Sequence, residues 1–174
     1  PPCSIANIST MAESSSQKMC PKVRFGKTEI MMPMVTCGGM RQQQSWNRGG
    51  TSPILSIDQV TPECQANFVT IIRAALARGI NHFETAQGYG CSELQFGHAF
   101  KELIESGEVR REDLIIQTKI GVKKTKEEFQ QALETSWERL QVDQVFGGYI
   151  DLFSFHGINR EHHVDLVDST LMAV

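Results

Sequence analysis

Four side chains in this sequence have the types needed to move a proton beside a charge: Glu84, Tyr89, Lys119 and His156. Glu84 and Tyr89 lie five residues apart within Ile80–Glu93, which begins as a short apolar strand and ends as the first turn of a helix. Lys119 ends the strand-like run Leu114–Lys119, and His156 ends the run Ile150–His156. Strand ends followed by short loops are where parallel α/β folds keep their chemistry. A carbonyl that accepts a hydride becomes an alkoxide and needs a proton. Tyrosine can give one, although its free pKa is about 10. A nearby ammonium favours tyrosinate and makes the proton easier to give. A carboxylate holds that lysine charged and in place, and a histidine donates a hydrogen bond to the substrate oxygen. General acid help of this kind is worth roughly 10²–10⁴-fold.

Each residue alone has a plainer reading. Glu84 serves as a turn cap, Tyr89 as a packed loop aromatic, Lys119 as a solvated strand end and His156 as a satisfied core histidine. Their joint order on consecutive strand ends is what favours chemistry. Gly88-Tyr89-Gly90-Cys91-Ser92-Glu93 half-matches a dinucleotide fingerprint, but Glu93 stands where the third glycine belongs, so a Rossmann reading is rejected. His162 and His163 beside Glu161 invite a metal reading. Adjacent helical residues do not face one another, so a solvated helix start is expected and no metal site.

The elements that must position these groups alternate. Pro21–Pro33, with Gly26-Lys27 at a turn, predicts a β-hairpin. Met34–Cys37 is the expected first core strand, followed by Gly38-Gly39, where the backbone turns sharply or a ligand comes close. Residues 42–60 read as a long polar loop. Thr61-Pro62 opens a helix with Phe68, Ile71, Ile72, Ala75 and Leu76 on one face, ended by Gly79. The helix after Ser92 carries Phe96, Phe100, Leu103 and Ile104 and stops at Gly107. Thr125 and Glu128 form a capping box for a helix that buries Phe129, Ala132, Leu133, Ser136, Trp137 and Leu140. Gln144–Gly148 reads as a short loop insertion, and Asn159 as the cap of a last helix. Alternating βα units predict a parallel sheet, barrel or doubly wound. Val35, Phe83, Ile115 and Leu152 are candidates for its inward face.

The motifs resemble the aldo-keto reductases. In that family an acid-Thr-Ala segment ends the second strand, a Tyr-Gly follows, a Thr-Lys ends the third and a His-Gly ends the fourth. Glu84-Thr85-Ala86, Tyr89-Gly90, Thr118-Lys119 and His156-Gly157 correspond, over roughly residues 22–165. The family's usual aspartate is Glu84 here. Cys-Gly-Gly-Met-Arg at 37–41 resembles a branch that tolerates glutamate.

The resemblance implies an α/β fold, a (β/α)8 TIM barrel behind an N-terminal hairpin, of which about the first four βα units are present. It implies reduction of aldehydes or ketones, or alcohol oxidation, with NADP(H). Tyr89 would be the proton donor, Lys119 its tuner, Glu84 the partner of Lys119 and His156 the orienter. Gly38, Gly39, Met40 and Glu84 would touch the nicotinamide. Two rivals stand beside this: a non-catalytic cofactor-sensing subunit of the same fold, and a Schiff-base aldolase using Lys119.

With 174 residues, the chain is shorter than the roughly 250 typical of eight units. It is expected to be a fragment, a tail over 1–20 and a partial domain over 21–174, inactive alone. A net charge of −3 argues against a general nucleic-acid binder. No apolar run approaches the roughly 18 residues of a membrane span. The five scattered cysteines suit a reducing compartment, and a cytoplasmic setting is expected, with organelle import behind a Ser-rich, acid-poor leader over 1–20 as the alternative. A small carbonyl compound is the expected partner.

Overall fold

A computed structural model of the chain describes residues 18–42 and 54–171. Most of the expected tail and residues 43–53 of the long loop lie outside these. Within the tail's expected bounds, Cys20 is already tied in: its N–H donates to the Arg78 carbonyl at 2.7 Å.

The hairpin forms as the turn signals require. Strands β1 (Lys22–Arg24) and β2 (Met31–Pro33) pair antiparallel. Gly26 takes the left-handed conformation at the turn, and the Arg24 guanidinium closes it on Thr28, Lys27 and Glu29. The first core strand is shorter and later than expected: β3 is Cys37–Gly38. Met34 and Val35 lie in a bend and are exposed, so Val35 faces no barrel interior.

Thr61 caps α1 (Pro62–Leu76) by accepting from Cys64 N–H at 3.3 Å. The face it buries is Phe68, Val69, Ile72 and Ala75. Ile71 is out, because Val69 lies closer to the centre of the inward stripe. Gly79, at φ 75°, turns the chain into β4 (His82–Glu84). Helix α2 (Ser92–Glu105) ends at Gly107, φ 76°. Strand β5 (Ile115–Gly121) follows, and then α3 (Lys126–Leu140). Thr125 caps α3 through Glu128 N–H at 3.1 Å, but the return bond from the Glu128 carboxylate lands on Lys124 N–H, one residue before the cap.

Gln144–Gly148 is not a plain loop insertion. It overlaps a one-turn helix, α4 (Val142–Val145), whose Val142, Val145 and Phe146 side chains pack into the core. Three apolar residues at this spacing hide one side of a turn, which a composition reading of Gln, Gly and Gly overlooks. Strand β6 (Leu152–His156) and α5 (Glu161–Leu171) complete the described chain. Because α5 opens at Glu161, Asn159 lies two residues before its first turn and does not cap it.

The four core strands are parallel and ordered β3-β4-β5-β6, as in the chain. A doubly wound sheet reverses its order at a switch point. This one does not, and its winding is that of a (β/α)8 barrel through four units.

Register and the two-residue period of a strand divide the sheet into two faces. Phe83 and Ile116 pack with the helices in one cluster, beside Phe68, Ile72, Phe96, Phe100 and Phe146. Ile120, Phe153 and Phe155 form a second cluster with Phe129 and Ala132. Phe83 therefore faces the helices, edge-on to Phe100 at 4.9 Å between centroids, not the barrel interior. The other face carries His82, Glu84, Ile115, Gln117, Lys119, Leu152, Ser154 and His156.

Helices α2 and α3 cross at Gly97. A Cβ there would stand 2.6 Å from the Arg139 carbonyl oxygen and 2.9 Å from the Leu140 carbonyl. Alanine gains about 1 kcal/mol over glycine in helix propensity, but these obstacles are backbone and cannot swing aside. Gly97→Ala is expected to lower the melting temperature by several degrees. A circular-dichroism melt that rises instead would show that the crossing is loose.

Candidate active site

The chain that leaves β4 stays on β5 for three more residues. Thr85 N–H donates to the Gln117 carbonyl and Gln87 N–H to the Lys119 carbonyl, each at 2.9 Å. A tight turn then follows: Tyr89 N–H to the Ala86 carbonyl at 2.9 Å and Ser92 N–H to the Tyr89 carbonyl at 3.0 Å, with Gly90 at φ 56°. That path carries Tyr89 over the carboxyl end of β5.

There the four predicted residues meet. Lys119 Nζ forms an ion pair with Glu84 Oε1. The same ammonium lies 4.6 Å from the centre of the Tyr89 ring. The His156 ring stands edge-on to Tyr89, with centroids 5.3 Å apart and planes at 89°. Gly88 passes close to His156, where a Cβ would sit 3.7 Å from Nδ1.

Electrostatics follow from burial. Loss of water pulls the Lys119 ammonium down to about 8. The Glu84 carboxylate in contact acts in the opposite direction, so lysine stays protonated at neutral pH. Burial, and then the Lys119 charge, hold His156 below its ordinary value. It is neutral at pH 7, with one ring N–H to donate.

The glycines divide. Gly38 is exposed, and a Cβ on it would meet only Glu84 Oε2, at 3.8 Å. Gly39 is buried, and a Cβ on it would overlap Ser92 Oγ and the Phe96 ring. Its missing side chain is needed for α2 to pack, whatever else passes nearby. Met40 is half-buried beside it.

The aldo/keto reductase family model matches residues 37–174. The chain belongs to that family. It is 32% identical over 132 residues to L-galactose dehydrogenase of Arabidopsis thaliana, covering 72% of this chain and 38% of that protein. It is 31% identical over 113 residues to an aldo-keto reductase family 1 member C23-like protein of Equus caballus, covering 63% and 33%. The chain thus spans little more than a third of the length of these relatives. In fold it is similar to a Bombyx mori aldo-keto reductase solved with NADP, at TM-score 0.52 and 28% identity, over 78% of this chain and 37% of that one. A Pseudomonas aeruginosa aldo-keto reductase structure superposes at TM-score 0.63 over 92% of this chain and 59% of that one. At 20% identity it speaks for the fold alone.

Below the four-residue cluster runs a polar belt that sequence reasoning missed. Thr36 Oγ1 and His82 Nδ1 are 2.9 Å apart, and His82 Nε2 lies 3.0 Å from Gln117 Oε1. Gln117 Nε2 then donates to Ser154 Oγ at 2.7 Å. The belt crosses the whole sheet. Its members stand two residues before Gly38, Glu84, Lys119 and His156. That i−2 spacing was the available signal, since residues two apart share a strand face.

A hollow of about 490 Å³ lies at the opposite, amino-terminal end of the strands, between the hairpin and the sheet. Its Asp113 and Asp151 are paired with Arg110 and Arg111. His162 and His163, expected not to face one another, do touch edge-on, with centroids 4.6 Å apart. Among the described residues no three His, Cys, Asp or Glu side chains gather as metal ligands, and no helix is long and apolar enough to cross a membrane.

Burial lowers His82 below its ordinary value, against the smaller upward pulls of Gln117 and Asp151. A folded-state value below the unfolded one means stability present above about pH 6.5 and lost as the pH falls further. The melting temperature is expected to drop from pH 7.5 to 5.5, and His82→Gln to remove part of that slope. Parallel slopes for the two proteins would clear His82 of any share.

Proposed function

We propose that the whole protein containing this chain reduces aldehydes or ketones to alcohols, or runs the reverse oxidation, with NADP(H). The observation that carries this reading is the Lys119–Glu84 ion pair beneath Tyr89, with His156 edge-on, at the carboxyl ends of three consecutive strands. Tyr89 Oη gives its proton to the substrate oxygen. Lys119 stabilises the tyrosinate left behind, and Glu84 holds Lys119 charged. Neutral His156 donates a hydrogen bond to the same oxygen and fixes its direction.

The open surface at Gly38 fits the flat nicotinamide end of the cofactor, where Glu84 and Met40 lie beside it. NADP(H), when bound, supplies the hydride. The NADP-bound silkworm relative supports this cofactor. Gly39 would contribute backbone alone on this side.

Lys119 is also the residue a Schiff-base aldolase would use. A nucleophilic amine must be neutral, and the Glu84 contact favours the charged form. Borohydride with a carbonyl substrate is expected to leave Lys119 unmodified. A non-catalytic cofactor sensor would bind NADPH without turning over any aldehyde.

In the full-length protein, Tyr89→Phe is expected to lower carbonyl reduction by at least about a hundredfold, with cofactor affinity nearly unchanged by fluorescence titration. Turnover near that of the wild type would sink the assignment.

The Glu84 carboxylate is expected to act by charge. Glu84→Asp should then keep more activity than Glu84→Gln, which preserves size but leaves Lys119 unpaired. Equal kcat values for the two variants would remove charge from the account.

A further inference from the structure

We infer that Ser92 and Glu93 are positioning residues, a two-point clamp that sets the Tyr89 turn over the Lys119–Glu84 pair. This rests on the function proposed above. Glu84 and Lys119 point into the barrel, so their sequence neighbours Thr85 and Thr118 point to the helix side. Thr85 Oγ1 donates to Ser92 Oγ at 2.8 Å, and Thr118 Oγ1 donates to Glu93 Oε1 at 2.7 Å. All four side chains are at most 1% exposed. Successive residues of one helical turn thus grip the backs of the two strands that carry the ion pair. Tyr89 lies three residues before this grip, in a turn whose last hydrogen bond is made by Ser92 itself. Gly39 completes the seat, because only a glycine there leaves room for Ser92 Oγ.

A purely structural role does not explain Glu93. Burying a carboxylate is expensive, and a well-packed apolar side chain often serves stability as well or better. Burial raises the Glu93 carboxyl, while Thr118, Ser136 and Arg139 act against that rise. Arg139 Nη1 stands 3.8 Å from Oε2 and supplies the counter-charge. What glutamate adds over leucine is direction: a short hydrogen bond from the residue next to Lys119. The cap residue of α2, Cys91, caps no backbone N–H with its side chain, and its thiol donates instead to Gln95 Oε1 at 3.0 Å. The clamp ties the start of the helix to β4 and β5.

The test uses Thr118→Val, Glu93→Leu and Glu93→Gln in the full-length protein, with Tyr89→Phe as control. Thr118→Val and Glu93→Leu are expected to lower kcat by ~10- to 100-fold, the scale of an ångström of misplacement, with KM for NADPH unchanged. Glu93→Gln, which still accepts from Thr118, should recover most of the loss. Amide exchange at Tyr89 and Ser92 should quicken in Thr118→Val, a readout that needs no turnover. A lowered melting temperature with wild-type kcat and wild-type exchange would make Thr118 and Glu93 packing groups only and overturn the clamp. Should Tyr89→Phe prove fully active, the functional reading fails while the exchange measurement still judges the clamp.

Discussion

The ion pair between Lys119 and Glu84 is the constraint on which the rest of the site depends. Both side chains are largely shielded from water, and a charge in that position is costly unless paired. Pairing requires that β4 and β5 be neighbours, parallel and in one register. The register sets Glu84 opposite Gln117, two residues below Lys119 on the same face. A slip of one residue would turn one charge toward the helices and leave the other alone. The pair is therefore affordable only in this alignment, and it helps select it.

The alignment is enforced from both faces. On the helix side Phe83, Phe96 and Phe100 meet edge-on or stacked, with Phe68 against Phe96. Aromatic contacts add directional terms to plain burial. On the inner side the belt runs from Thr36, just before β3, through His82 and Gln117 to Ser154, and joins that segment to β4, β5 and β6 by side-chain hydrogen bonds. A chain of part-buried hydrogen bonds strengthens its members when each donor is matched. The belt sits directly below the reactive layer, so it fixes the floor on which Lys119 and Glu84 stand.

The sequence carried much of this, unevenly. Hairpin, helices and strand order were legible because turn glycines, caps and apolar spacing are local signals. Glu84, Lys119 and His156 stood out because they lie at or near strand ends, and Tyr89 because it follows Glu84 in the turn. Phe83 was hard to place, since a strand residue between two polar ones can face either way until its register is known. Val142, Val145 and Phe146 hid in a segment of loop-like composition. Glu93 was noticed only as the acid that breaks a glycine pattern. Its burial depends on Thr118 and Arg139, which are far away in sequence and adjacent only after folding.

The glutamate at position 84 has its own structural logic. It is one methylene longer than the aspartate its family more often places there, so its carboxylate must either overshoot Lys119 or find more room. It meets Lys119 with Oε1, and Oε2 turns toward β3. The residue opposite Glu84 in the β3–β4 register is Gly38. A Cβ at 38 would reach within 3.8 Å of Oε2, so a longer side chain growing toward the site would crowd the carboxylate. Glycine at 38 thus leaves open space beside the carboxylate, although a Cβ alone would only touch it. The same vacancy keeps the site open on the β3 side, so the longer acid does not close the approach that a flat ligand would need.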